Sequence, residues 1–339
     1  MKKVLKIFGI IFALFVTLIV IGYFVLMTHT QIIVGFIQNI SSGTVNTKNS
    51  FEPLREAYKG TKSNGQYIIA EINYSTDYPN SYLDITYSNE NIEEDRPTLF
   101  YFHGGGFFGG SKNDGDPLAE SDATALIDDI CAEGFNIVNV DYALVPEYHF
   151  PTPLIQANLA FEFMINHAEE YHINIDNVVI MGSSAGAIMT SQLGSIITNS
   201  EYVDLLGIKP AIKKEQVKAL IIDDAPLVYN KFPLATKILI GNYIKGSIYL
   251  SKDEIKKYNN ILSVNSNYIP SVLLGSEYHV DMRDLDNKLN EVNVEHELID
   301  PLAERGKEMQ HCFVANERAD EISKDAFDRM IKFIKNKTN

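Results

Sequence analysis

The chain has 339 residues, 45% of them hydrophobic and 22% charged. That composition can bury a sizeable core and excludes a disordered or fibrous chain. Its 29 Lys and Arg against 44 Asp and Glu leave a formal net charge of −15, a field that repels phosphate backbones and excludes a basic nucleic-acid reader.

The first distinct element is the run from Phe8 to Met27, which carries no charged residue. A helix of that length, at about 1.5 Å per residue, crosses a hydrocarbon core of about 30 Å. Lys2, Lys3 and Lys6 precede the run and the next basic residue is Lys48. That bias predicts a cytoplasmic N-terminus and an extracytoplasmic remainder in the cell membrane. A cleaved signal is the alternative, but the run exceeds a signal's apolar core and no A-x-A-like site follows. Residues 1–27 are therefore read as a single-pass anchor. Residues 28–65 hold a polar run at 41–50 and no strong strand pattern, which predicts a stalk and cap material ahead of a catalytic domain over 66–339.

From residue 67 onward, short apolar runs alternate with helical patterns. Strands are expected at 67–74, 82–87, 98–102, 136–141, 177–181, 217–222, 271–274 and 295–299. Helices are expected at 117–133, 152–171, 185–198, 281–292 and 315–335. This alternation predicts an α/β fold with a mostly parallel sheet of about eight strands, covered on both faces and begun by an antiparallel pair. Residues 226–269 interrupt the alternation with aromatic, helix-permissive sequence, placed where a lid over a site would be inserted. Cys131 and Cys312 stand far apart without metal-ligand spacing, so neither a disulfide framework nor a metal site is expected.

Two motifs carry chemistry. Gly182-Ser183-Ser184-Ala185-Gly186 follows an apolar strand and opens a helix-favouring run. A G-x-S-x-G at such a junction can hold Ser184 on a sharp turn with its hydroxyl exposed, a nucleophile once a base takes the proton. His103-Gly104-Gly105-Gly106-Phe107 ends another strand, and glycines there let backbone N–H groups approach a developing oxyanion. The same string satisfies G-x-G-x-x-G through Gly104, Gly106 and Gly109. A dinucleotide loop would open a helix and meet an acidic residue about 20 positions on, whereas here a polar stretch follows and Asp141 lies far beyond that distance.

Together with Asp141-Tyr142-Ala143-Leu144-Val145-Pro146-Glu147, these motifs resemble the hormone-sensitive-lipase-like branch of the α/β-hydrolases, from about residue 98 to residue 333. The resemblance implies an α/β-hydrolase fold with a helical cap, Ser184 as nucleophile, and an oxyanion hole from the N–H groups of Gly105, Gly106 and Ala185. It implies neither metal nor organic cofactor. Ala143 stands where the family carries Arg, so any ion pair made by that Arg is missing.

In this fold the chain order is nucleophile, acid, histidine. His311, after the last strand and before the last helix, is the expected base, although Gln310 replaces the family's glycine before it. The acid is less defined. His279 occupies the position where relatives carry Asp, which leaves Glu277 and Asp281, each two residues away, as the candidates. The expected function is a serine esterase acting on small-molecule esters of short to medium acyl chains. Two alternatives stay open: a surface binding protein that kept the fold and lost the chemistry, and a serine peptidase.

Overall fold

The computed structural model describes residues 2–112 and 125–339. Among the described residues, nine strands form one sheet: β1 (Tyr58–Thr61), β2 (Tyr67–Asn73), β3 (Tyr82–Tyr87), β4 (Pro97–Phe102), β5 (Asn136–Val140), β6 (Asn174–Ser183), β7 (Val217–Asp223), β8 (Ser271–Leu274) and β9 (His296–Ile299). Their spatial order is β1-β2-β3-β5-β4-β6-β7-β8-β9. The first four in that order pair antiparallel, and β5 through β9 run parallel. All eight expected strands are present. The ninth, β1, reads Tyr-Lys-Gly-Thr, lies mostly exposed at the sheet edge and has no apolar run to announce it.

Strands buried on both faces read as continuous apolar runs because every side chain meets a covering helix. In β4, Leu99 and Tyr101 point to one core while Phe100 and Phe102 point to the other. The first core is closed by α3 (Ala125–Ala132), α11 (Phe313–Asn316) and α12 (Glu321–Thr338). The second is closed by α4 (Thr152–Asn166), α5 (Ala185–Thr198), α6 (Ser200–Leu206) and α9 (His279–Glu291). The helix expected over 117–133 forms at Ala125–Ala132, and its earlier part lies outside the described residues.

At the N-terminus, α1 (Lys2–Thr28) is long and apolar enough to cross a membrane. Residues 28–65 fold back against the domain through α2 (Gln31–Ser41) and β1. Residues 226–269 form α7 (Leu234–Lys245), α8 (Lys252–Tyr258) and two short 3₁₀ turns. A further short helix, α10 (Pro301–Arg305), follows β9. Because β4, β6, β7 and β8 are parallel neighbours, their carboxyl ends open on one edge of the sheet, where an α/β fold holds its ligands.

Candidate active site

Ser184 stands between the last residue of β6 and the first of α5, at φ 54° and ψ −112°. That is an unfavourable conformation for a residue with a Cβ, and the surroundings enforce it. Its N–H donates to the Asp223 carbonyl at 2.8 Å, and its carbonyl accepts from Ile188 N–H at 3.1 Å. The flanking glycines are steric requirements. A Cβ on Gly182 would stand 2.2 Å from the Gly186 backbone, and one on Gly186 would stand 1.9 Å from the Phe102 carbonyl oxygen. The elbow also sets Ser184 at the positive end of α5, whose first amide belongs to Ala185.

The loop after β4 curls on itself. Phe108 N–H and Gly109 N–H both donate to the Gly105 carbonyl at 3.1 Å, and a Cβ on Gly105, at φ 97°, would meet the Gly109 carbonyl oxygen at 2.0 Å. Among the described residues, no backbone acceptor takes the N–H of Gly105 or Gly106. His103 is buried and braces this loop from behind: its Nδ1 lies 2.8 Å from the Gly104 carbonyl. Its ring stacks on Tyr142 at 4.1 Å, and the Tyr142 hydroxyl donates to the His103 carbonyl at 2.6 Å. From the outside, Gln38 of α2 donates to the carbonyls of Phe108 at 2.9 Å and Val145 at 2.7 Å. Asn46 accepts the Gly110 N–H at 2.8 Å. The segment that follows α1 is thus a wall of the loop.

His311 is brought to the same edge by the loop between α10 and α11. Its Nδ1 lies 2.5 Å from Asp224 Oδ2. Asp224 follows β7, is fully buried and adopts φ 59°. Its carboxylate also accepts from Ser276 N–H at 2.8 Å, Ser276 hydroxyl at 2.6 Å, Glu277 N–H at 3.0 Å and Tyr278 N–H at 2.9 Å. The loop after β8, where the acid was expected, instead supplies the donors that hold an acid from the neighbouring strand.

The carboxylate nearest to His311 is therefore Asp224, not Glu277 or Asp281. Asp281 is turned away from His311: its Oδ1 accepts the N–H groups of Leu227 at 2.8 Å and Val228 at 2.6 Å, pinning the chain after β7 to α9. Glu277 reaches within 3.6 Å of His311 Nδ1, but its side chain is 55% exposed and lacks the donors that fix Asp224. His279, at the position expected for an acid, lies 3.8 Å from Asp300. The missed signal was the pair Asp223-Asp224, two carboxylates ending a buried strand that proved to be the neighbour of β6.

The two partners shift in opposite directions, each toward its charged form. Burial would raise the Asp224 carboxyl, but the hydrogen bond and charge of His311 and the donors of Ser276 outweigh it and hold the group below its usual range. Burial would lower the His311 imidazole, but the hydrogen bond and charge of Asp224, helped by Glu277 and Asp223, raise it above its usual value. Behind them, Asp223 Oδ2 accepts from the Ser183 hydroxyl at 2.9 Å, which in turn accepts from the Tyr101 hydroxyl at 3.2 Å.

Ser184, His311, Gly105 and Gly106 line one cavity of about 520 Å³. Leu239 and Thr236 of α7 form one side, and Ser41 and Val45, at the end of α2 and just beyond it, form another. The arrangement provides a hydroxyl on a strained turn, an imidazole oriented by a buried carboxylate, and amides on a shared space. It is suited to nucleophilic attack on a carbonyl.

Comparison with known proteins agrees with this fold. The BD-FAE family model matches residues 83–274, from β3 to β8. An esterase of Gibberella moniliformis is 31% identical over 143 residues, which cover 41% of this chain and 42% of that protein. An acetyl esterase of Salmonella paratyphi B is 29% identical over 114 residues, covering 33% and 32%. The chain therefore spans less than half the length of these curated relatives. Among solved structures, esterase B from Lactobacillus rhamnosis superposes with a TM-score of 0.66 at 16% identity, covering 82% of this chain and 88% of that one. A thermostable esterase from Pseudomonas putida does so with a TM-score of 0.59 at 19% identity, covering 90% of each. The fold is that of the α/β-hydrolases.

Proposed function

Since the chain belongs to the BD-FAE family, we propose that it is a carboxylesterase working through an acyl-enzyme on Ser184. The observation that carries this reading is the cavity shared by Ser184, His311 and the glycine amides, with Asp224 directly behind the imidazole. In this scheme Ser184 Oγ attacks the ester carbonyl while His311 Nε2 takes its proton. Asp224 keeps the Nδ1 proton directed at itself and stabilises the imidazolium that forms. The N–H groups of Gly105, Gly106 and Ala185 receive the oxyanion. His311 then protonates the departing alcohol, and the same imidazole activates the water that releases the acid.

A cavity of about 520 Å³ suits esters with short to medium acyl chains, acetyl among them, with α7 and the rest of 226–269 acting as the lid. The apolar length of α1 and the basic residues Lys2, Lys3 and Lys6 before it support an anchor with a cytoplasmic N-terminus and an extracytoplasmic catalytic domain. Although position 279 carries no acid, the Asp224 carboxylate 2.5 Å from His311 supports the esterase reading over a binding protein that lost the chemistry.

The test is turnover of p-nitrophenyl acetate and butyrate by the detergent-solubilised full chain, set against Ser184→Ala. Loss of at least about 10³-fold in kcat is expected. A wild type no faster than the variant would favour the binding reading, and preferential cleavage of a peptide p-nitroanilide would favour a peptidase.

A further inference from the structure

The outer face of α2 is apolar where a water-facing helix would be polar. On the inner face Val34 is fully buried and Gln38 reaches the loop after β4. On the outer face Ile32, Phe36 and Ile40 recur at every fourth position and are 51%, 67% and 68% exposed. No Asp, Glu, Lys or Arg occurs between Lys6 and Lys48, in a chain that is 22% charged. The charge-free stretch therefore continues past the end of α1, through α2, to the cavity wall at Ser41, Thr44 and Val45.

The junction between the two helices is held tightly. The Met27 carbonyl accepts from Ile248 N–H at 3.0 Å, Thr30 N–H donates to the Gly246 carbonyl at 2.9 Å, and the Thr30 hydroxyl donates to Asn242 at 3.2 Å. Met27 itself is buried. The catalytic domain thus grips the last turn of α1 with no slack chain between them. At 1.5 Å per residue, α2 spans only about 16 Å, so the cavity wall lies within one short helix of the membrane exit.

We propose that the Ile32, Phe36 and Ile40 stripe of α2 lies in the boundary between headgroups and acyl chains of the membrane that α1 crosses, and that the cavity takes its ester from that boundary. The substrate class is then a bilayer-resident amphiphile carrying a short acyl ester at its polar end. This deepens the anchored-esterase reading and rests on it. Helices with an apolar face seat that face about 5–10 Å into the boundary region, and continuity with α1 makes lipid the occupant of this stripe.

The chain contains no tryptophan, so Phe36→Trp creates a single reporter in the full-length protein. In phosphatidylcholine–phosphatidylglycerol vesicles, its emission is expected to be quenched by doxyl-labelled phosphatidylcholine and protected from iodide. Quenching by iodide would overturn the proposal. Protection from both quenchers would seat the stripe against protein, such as a second copy, and overturn it equally. In the activity arm, Phe36→Glu with Ile40→Glu is expected to lower turnover of vesicle-borne 1,2-dioleoyl-3-acetylglycerol at least tenfold while p-nitrophenyl acetate stays within twofold. An equal effect on both substrates would overturn the substrate class. Failure of the wild type on p-nitrophenyl acetate would sink the esterase reading itself, and the quenching arm would still decide the surface.

Discussion

Two buried acidic centres sit on the same sheet and are balanced in opposite ways. At the carboxyl end of β7, one carboxylate, Asp224, gathers four hydrogen bonds from residues 276–278 and faces one imidazole. On the antiparallel side, three carboxylates crowd a single buried ammonium: Lys112 Nζ lies 2.7 Å from Glu71, 3.3 Å from Asp141 and 3.8 Å from Asp84. Arg55 adds a second cation from the surface, 2.7 Å from Asp84. Asp224 is held below its usual range. Asp141 is pushed up to about 6, by burial first and with Asp84 adding to it against the pull of Lys112. A carboxylate surrounded by donors stays charged to lower pH, whereas burial beside another carboxylate lets Asp141 take up its proton at higher pH.

The sharpest test of the first centre is Asp224→Asn. The amide keeps the shape but no longer holds the Nδ1 proton in place or balances the imidazolium, which predicts a fall of about 10⁴ in kcat with p-nitrophenyl acetate. The sign of the pH effect follows from His311. Its pKa is raised, so the wild-type acid limb of kcat/KM lies above the usual imidazole range, and activity rises with pH as the base becomes neutral. Without the Asp224 charge that limb moves to lower pH. A limb that stays in place would mean that Glu277 holds the imidazole.

At the second centre the largest effect is on stability. Lys112→Met leaves Glu71, Asp84 and Asp141 facing one another with only Arg55 at the surface and the His103 imidazole 3.7 Å from Asp141, and an uncompensated buried charge is expected to cost about 3–5 kcal/mol in urea unfolding. Combining it with Glu71→Gln should recover part of that loss, since one of the three charges is gone. An unchanged midpoint for Lys112→Met would show that the cluster gathers protons instead of relying on its cation.

Much of the parallel sheet was legible because its strands are apolar on both faces and need no partner to be recognised. The elbow was equally legible: Gly182, Ser184 and Gly186 act within five residues, and their steric roles are local. The two acidic centres were not. Asp224 meets His311 across 87 positions, and a carboxylate at a strand end reads the same whether it faces solvent or an imidazole. Glu71 is buried at a bulge in β2 with φ 63°, a conformation that the sequence Ala-Glu-Ile does not signal. The edge strand β1 has no apolar residue besides Tyr58 to mark it. Local sterics survive in the sequence, but the pairing of distant charges depends on strand order.

A smaller effect separates the proton affinity of the second centre from its charge pairing. Because the Asp141 pKa is raised to about 6, the folded chain keeps a proton that the unfolded chain releases near pH 4. This group therefore lowers stability as pH rises between those values, by roughly 3 kcal/mol in all. Asp141→Asn removes the titration while leaving an oxygen to accept the Lys112 N–H. Unfolding of the variant should show that decline flattened between pH 4 and 6, and an unaltered slope would assign the proton elsewhere in the cluster.

The smallest effect is expected at Glu277, whose carboxylate stands 3.6 Å from His311 Nδ1 against 2.5 Å for Asp224. Distance already separates the two, since 3.6 Å lies beyond hydrogen-bond reach, and their surroundings differ as well. The Glu277 side chain is 55% exposed, so water screens its charge, and at this separation such a pair contributes only about 1 kcal/mol in bulk water. Its lasting contribution is its backbone N–H on Asp224, which Glu277→Gln retains. That variant should keep kcat within about threefold and move the acid limb slightly to lower pH, in the same direction as Asp224→Asn but without its loss of rate. A loss approaching that of Asp224→Asn would return the acid to the loop after β8 and reduce Asp224 to a structural carboxylate.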